Sequence, residues 1–160
     1  MRIYLLRHGV AEEGFSKRDS ERALTEEGKQ KLREFLPTLA HAGVQPALVI
    51  SSPYRRAIET ARIAVDVLGY QGLLLECTSL TPDSSPQSAW SEVRVHSSEE
   101  SVLLVGHEPL FSALSAFLLG SPQLSVDFRK GAMLCVDLQT VRAQPAGVLK
   151  WYLTPKFTRP

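Results

Sequence analysis

Cysteine is nearly missing from this chain: Cys77 and Cys135 are the only two in 160 residues, far apart and each inside an apolar run. They cannot build a disulfide framework and they form no C-x-x-C motif, so buried thiols in a reducing cytosol are expected. No apolar stretch approaches the roughly 20 residues of a membrane span. The run after Arg2 is too short for the apolar core of a signal peptide, so a cytoplasmic protein is expected. An excess of either charge is also missing. Lys and Arg total 18 and Asp and Glu 17, a formal charge of +1. That balance gives no nucleic-acid footprint and no polybasic membrane anchor, and any affinity for anions must be local. Repeats, linkers and low-complexity tracts are absent, which argues for one domain over residues 1–160. Nothing has the ligand spacing of a metal site, and no metal or other cofactor is expected.

What the chain does have is alternation. Arg2 to Leu6 is apolar almost throughout, as in a strand covered on both faces. Val10 to Arg22 is a polar, charged loop. Thr25 can cap a helix whose first turn holds Glu26 and Glu27, and Leu32, Phe35, Leu36 and Leu39 follow at helical spacing. Pro37 should kink or shorten that helix, and Gly43 should stop it. A second strand is read at Ala47 to Ile50. Ser52 and Pro53 then look like the cap and first residue of a helix carrying the stripe Ala57, Ile58, Ala61, Ala64, Val65 and Leu68, ended by Gly69. A third strand is read at Leu73 to Cys77, a weak helix at Pro86 to Val95, and a fourth strand at Ser101 to Val105. Another amphipathic helix follows and stops at Gly120. Ala132 to Leu138 and Val148 to Leu153 have no helix between them and read as an antiparallel pair at the sheet edge. The pattern predicts an α/β domain with helices on both faces of a mostly parallel sheet, and ligands bind such sheets off the carboxyl ends of the strands.

Three of those ends are chemically loaded. The first strand runs into Arg7-His8-Gly9, the second into Ser51-Ser52-Pro53-Tyr54-Arg55-Arg56, and the fourth into Gly106-His107-Glu108-Pro109. Parallel strands place all three turns on one edge, and two of them open helices with free N–H groups. Two imidazoles, several guanidiniums and helix N-termini suit phosphate best. Arginine offers forked donors that match phosphate oxygens, and an imidazole with one bare nitrogen can attack phosphorus.

Arg7-His8-Gly9, then Ser52-Pro53-x-x-Arg56-Ala57-x-x-Thr60-Ala61, then Gly106-His107 resemble the histidine phosphatase superfamily. Arg22-Ala23-Leu24-Thr25-x-x-Gly28 resembles a further segment of that family. The spacing, the short length, Leu80-Thr81-Pro82 and Gly106-His107-Glu108-Pro109 resemble its SixA-type phosphohistidine phosphatases. The resemblance implies a three-layer α/β/α sandwich of the phosphoglycerate mutase-like kind, mostly parallel with an antiparallel edge. It also implies that His8 is the nucleophile taking up the phosphoryl group, with Arg7, Arg56 and His107 clamping its oxygens. Arg22, Gly9 and Ser16 are the further substrate-binding positions. Helical periodicity does not choose between Arg55 and Arg56, which lie at similar angles off the apolar stripe. The family pattern chooses Arg56, and Arg55 is expected to pair with Glu59 at i+4.

Substrate choice turns on a proton donor. Asp83 is the only carboxylate in the loop after the third strand, and Glu108 directly follows His107; both are candidates, and an ordinary turn residue is the plainer reading of Asp83. An alkoxide leaving group benefits from a positioned acid, whereas an imidazole, titrating near ~6.5, needs less help. The sparse acid supply and the short chain, with little material for a lid, favour a phosphohistidine-bearing protein such as a phosphotransfer domain. Ser16-Lys17-Arg18 is expected to line the mouth, and a monomer is expected. The alternatives are a small-molecule phosphomonoesterase on the same scaffold and a non-catalytic phosphoprotein-binding module.

Overall fold

The computed structural model describes residues 1–158, so the last two positions of the expected domain lie outside the described residues. The elements run β1 (Arg2–Arg7), α1 (Glu26–His41), β2 (Leu48–Ser51), α2 (Arg55–Val67), β3 (Leu74–Glu76), α3 (Pro86–Val95), β4 (Ser101–Gly106), α4 (Leu110–Leu118), β5 (Met133–Asp137) and β6 (Val148–Leu153). The six strands form one sheet in the order β3-β2-β4-β1-β5-β6. The first four are mutually parallel; β5 runs antiparallel to β1, and β6 antiparallel to β5. The mostly parallel sheet with its antiparallel edge is the architecture the alternation implies.

Period-two alternation sorts the central strands between two cores. Ile3 and Leu5 of β1, with Val102 and Leu104 of β4, face the layer of α3 and α4, where Trp90, Phe111, Leu114 and Leu118 are buried. Tyr4 and Leu6, with Leu103 and Val105, face α1 and α2, packing on Leu32, Phe35, Leu36, Ala57 and Ala61. Helices therefore cover both faces, giving three layers. No helix among the described residues is long and apolar enough to cross a membrane.

Local signals hold at most element ends. Thr25 Oγ1 accepts the Gly28 N–H at the start of α1. Pro37 does not shorten α1, which continues to His41. Its last turns are held by the buried side chains Phe35, Leu36 and Leu39, which outweigh the hydrogen bond proline removes. β3 is shorter than its apolar run, because Leu73 is left exposed at the sheet edge. The start of α2 also differs. Tyr54, not Ser52, occupies its cap position, two residues later than the Ser-Pro pair suggests.

Register then places the site. Arg7 lies opposite Gly106 and Ser51 opposite Val105, so His8, His107 and Ser52 each follow directly on adjacent strands. Backbone bonds from His8 N to Gly106 O (3.0 Å) and from Ser52 N to Val105 O (2.9 Å) carry the pairing one residue past the strands.

Candidate active site

His8 is 6 % exposed and its ring is fixed from both sides. Nδ1 lies 2.7 Å from its neighbour's carbonyl, Gly9 O. A carbonyl only accepts, so Nδ1 carries the proton and Nε2 keeps its lone pair. Arg56 Nε donates to that Nε2 over 3.2 Å, which agrees with the same tautomer. Burial, then the neighbouring His107, pushes the His8 pKa down to about 2, so the ring is neutral at physiological pH.

Gly9 serves the imidazole through its backbone. Its carbonyl orients His8, and its N–H donates to Thr60 Oγ1 at 3.1 Å, so that donor is already occupied. Thr60 Oγ1 in turn donates to Arg56 O at 2.7 Å, the i−4 carbonyl of its own helix. This gives the Arg56-x-x-x-Thr60 spacing a physical reason: one buried hydroxyl ties the end of β1 to the turn of α2 that bears Arg56. A Cβ on Gly9 would come within 2.9 Å of the Leu32 side chain and 3.3 Å of Gly28 O, so glycine lets the loop pass this close to α1 without displacing Leu32. Gly28 is required, because a Cβ there would strike the Val10 carbonyl.

His107 is 1 % exposed, with its ring centroid 5.0 Å from that of His8. Its Nε2 lies 2.8 Å from Ser52 Oγ, and its Nδ1 is buried with no partner. The Ser52 hydroxyl has this one acceptor for its proton, so Ser52 donates to Nε2 and the orphan is an Nδ1–H. An anion in the site would satisfy it. Burial first, then Arg56, lowers the His107 pKa to about 3, against the upward pull of Asp19. Tyr54 lies edge-on to His107 at 5.1 Å and under the Arg56 guanidinium at 5.1 Å. Ser52 thus turns towards an imidazole across the sheet edge instead of capping α2, although its Oγ still accepts the Tyr54 N–H at 3.3 Å.

The two adjacent arginines separate clearly. Arg55 is exposed and pairs with Glu59 at 2.9 Å. Arg56 is 4 % exposed and reaches the site. Its remaining nitrogens bind Asp19: Nη1 to the backbone carbonyl at 2.6 Å and Nη2 to the carboxylate at 3.0 Å. Arg22 binds the other Asp19 oxygen at 2.8 Å and Glu12 O at 2.6 Å, so it contacts the site through Asp19. Partial burial pushes the Asp19 carboxyl up, but the bonds from Arg22 and Arg56 win and hold it below the usual range. Arg7 projects from the other side. Its Nη1 bonds Phe128 O at 2.5 Å, and its Nε is buried without a partner. Burial lowers its pKa, and Glu108 acts in the opposite sense.

His8, Arg56, His107 and Arg7 are therefore gathered at one edge, and three other expected positions are not. Ser16 is exposed and bonded to none of these side chains. Asp83 is exposed in a turn closed by Thr78, Thr81 and Ser84 and is bonded to none of them either. Glu108 accepts from Ser112 N at 2.8 Å, and its other oxygen lies 2.5 Å from Ser112 Oγ, which is also 2.8 Å from Val126 O, so it caps α4 and fills the helix end expected to be open to an anion. Asp19, Tyr54 and the Phe128 carbonyl belong to the site without having been singled out. Only Asp19 left a trace, as the acid just ahead of the Arg22 segment. Among the described residues no group of three His, Cys, Asp or Glu is arranged to hold a metal ion.

An edge of two neutral imidazoles, one with a directed lone pair and one with an unpartnered donor, between a buried and a half-buried guanidinium is a site for a tetrahedral oxyanion. The family model of the histidine phosphatase superfamily, branch 1, matches residues 3–77 of this chain. The fold is similar to that of the protein histidine phosphatase SixA complexed with tungstate: 25 % identity, TM-score 0.85, covering 99 % of this chain and 100 % of that one. It is also similar to a SixA-named protein from Agrobacterium tumefaciens (22 % identity, TM-score 0.81, covering 96 % and 97 %). A mycobacterial glucosyl-3-phosphoglycerate phosphatase shares the fold at 19 % identity and TM-score 0.72, covering 93 % and 96 %. No curated protein matches the chain in sequence.

Proposed function

We propose that the protein is a phosphohistidine phosphatase that removes phosphoryl groups from histidine in a partner protein through a covalent intermediate on His8. The bare Nε2 of His8, directed by the Nδ1–Gly9 bond, carries this reading. Nε2 attacks phosphorus and the substrate's P–N bond breaks. Its electron pair goes to the leaving imidazole, which takes a proton from solvent. Water then attacks the phosphorus on His8, returning the electron pair to Nε2 and releasing inorganic phosphate. Arg7, Arg56 and the His107 Nδ1–H hold the equatorial oxygens, on which charge is spread during transfer. Cationic side chains supply the positive charge, and the steps use no metal ion.

The preference for phosphohistidine over an ester rests on the acids. Asp19 is held ionised by two arginines, and both Glu108 oxygens are engaged by Ser112 at the start of α4. Neither is free to swing to a leaving alkoxide, while an imidazole leaves from phosphorus with little help. Two free buried cysteines, the Cys135 thiol raised to about 11 by burial, support a reducing cytosolic setting. The protein is read as a monomer.

The test uses a ³²P-labelled histidine-phosphorylated phosphotransfer domain. Wild type should release its phosphate and, in a rapid quench, carry acid-labile, base-stable label; His8→Ala should do neither, a loss of at least about 10³-fold. Faster turnover of p-nitrophenyl phosphate or a sugar phosphate than of the protein would assign the site to esters. Phosphoprotein binding without label would make it a binding module.

A further inference from the structure

Arg7 lines a second space. Beside it, between the start of α1, the turn before β5 and the turn after β6, lies a cleft of about 420 Å³. Its walls hold Lys31, Arg129, Lys130 and Lys156 against one carboxylate, Asp127, with Val10 and Pro155 among its apolar parts. Lys31 pairs with Glu27 and Arg129 with Asp127. Lys130 and Lys156 are exposed and pair with no carboxylate among the described residues. In a chain whose formal charge is only +1, this is a local concentration of positive charge, continuous with the phosphate site through Arg7.

We propose that this cleft is the docking subsite for acidic side chains flanking the phosphorylated histidine on the partner protein. The inference rests on the phosphohistidine reading and adds which face of the enzyme the partner covers. Two observations favour a protein over a small bisphosphorylated molecule. The free cations are lysines on flexible stems at an open rim, whereas a small anion is usually fixed by buried, forked donors. The expected steering loop also carries no excess of positive charge: residues 12–22 hold Lys17, Arg18 and Arg22 against Glu12, Glu13, Asp19 and Glu21, and Lys17 pairs with Glu12 at 2.8 Å. That leaves the Lys130 and Lys156 face as the one that attracts an acidic surface. Charges of this kind act on the encounter rate and are screened by salt.

The experiment compares wild type with Lys130→Glu/Lys156→Glu on three probes: a histidine-phosphorylated phosphotransfer domain, N-phosphoimidazole, and fructose 1,6-bisphosphate. Both lysines are exposed, so folding is not at stake, and thermal melting checks it. The ratio of kcat/KM on the phosphoprotein to kcat/KM on N-phosphoimidazole should fall about ten-fold in the variant at low salt, and the gap should close as salt rises. An unchanged ratio overturns the docking assignment, as does an equal loss on both probes. A selective loss on fructose 1,6-bisphosphate would assign the cleft to a small second phosphate instead. Failure of the phosphohistidine reading looks different, because wild type itself would then prefer esters.

Discussion

On one flank of the site, residues 12–22, acids offset the cations: Lys17 pairs with Glu12, Asp19 takes both Arg22 and Arg56, and Glu13 and Glu21 balance the exposed Arg18 in net charge. On the other flank, Lys130 and Lys156 stand open beside Arg7. Counting basic residues along the chain makes the flanks look alike, and the first flank even carries the clustered Lys17-Arg18 that suggests steering. Pairing reverses the ranking. An anion approaching over the first flank meets charge already neutralised; over the second it meets a net positive field. Local potential follows from which partners the fold supplies, so it depends on tertiary structure more than on composition.

Arg56 is the point at which the paired flank can be broken outright. One guanidinium spans His8 Nε2, the Asp19 carbonyl and the Asp19 carboxylate. A lysine has one nitrogen and cannot hold that fork. Arg56→Lys is expected to lower kcat/KM on phosphoprotein by about 10²-fold, the usual scale for losing one fixed oxyanion donor. It should loosen the 19–22 turn as well, seen as faster amide exchange there. Near-normal turnover would mean that Arg56 is a structural strut of that flank and not a phosphate ligand.

Much of this was readable before any coordinates. β1 and β4, apolar almost throughout and each running into a charged turn, located the edge of the sheet with Arg7, His8 and His107, and the family pattern added Arg56 from the turn after β2. Arg56 could not be told from Arg55 by helical period, because the difference lies in what each meets: Arg55 meets Glu59 on its own helix, and Arg56 meets a loop 37 residues away. Long-range polar pairing is what sequence hides. Ser52 looked like a helix cap because caps are local, but its partner His107 is 55 positions on. Glu108 looked like a possible acid because it adjoins His107, yet the backbone turns it towards Ser112. The cleft was invisible, since Lys31, Lys130 and Lys156 share no segment. Arg7's partner is a backbone carbonyl, which any residue at position 128 would provide.

The floor between the flanks should show itself in acid. Both imidazoles are neutral when folded, His8 at about 2 and His107 at about 3, against about 6.5 in the unfolded chain. Below about pH 6.5 the unfolded state binds more protons, so this contribution is complete above that pH and is lost as pH falls towards the folded values. Melting temperature should therefore drop between about pH 7.5 and about pH 4.5, and drop less steeply by a few degrees in His8→Asn, where one of the two buried bases is gone. The carboxylates titrate in both proteins and cancel in the difference. Parallel curves would show that His8 is free to take up a proton in the fold.

The finest test converts the paired flank into an open one. Asp19 is an anion resting on the guanidinium that the proposed phosphate clamp needs, and its side chain is 53 % exposed. Asp19→Asn removes the charge while keeping the shape, and the backbone carbonyl that binds Arg56 is untouched. If the flanks differ only in pairing, inorganic phosphate or vanadate should inhibit the variant about two- to five-fold more tightly, the range of a half-exposed ion pair, with the gain shrinking in salt. Product release would slow in step, lowering kcat more than kcat/KM. Weaker inhibition would mean the reverse: Asp19 holds Arg56 in its working position, and the negative charge on that flank belongs to the clamp instead of competing for it.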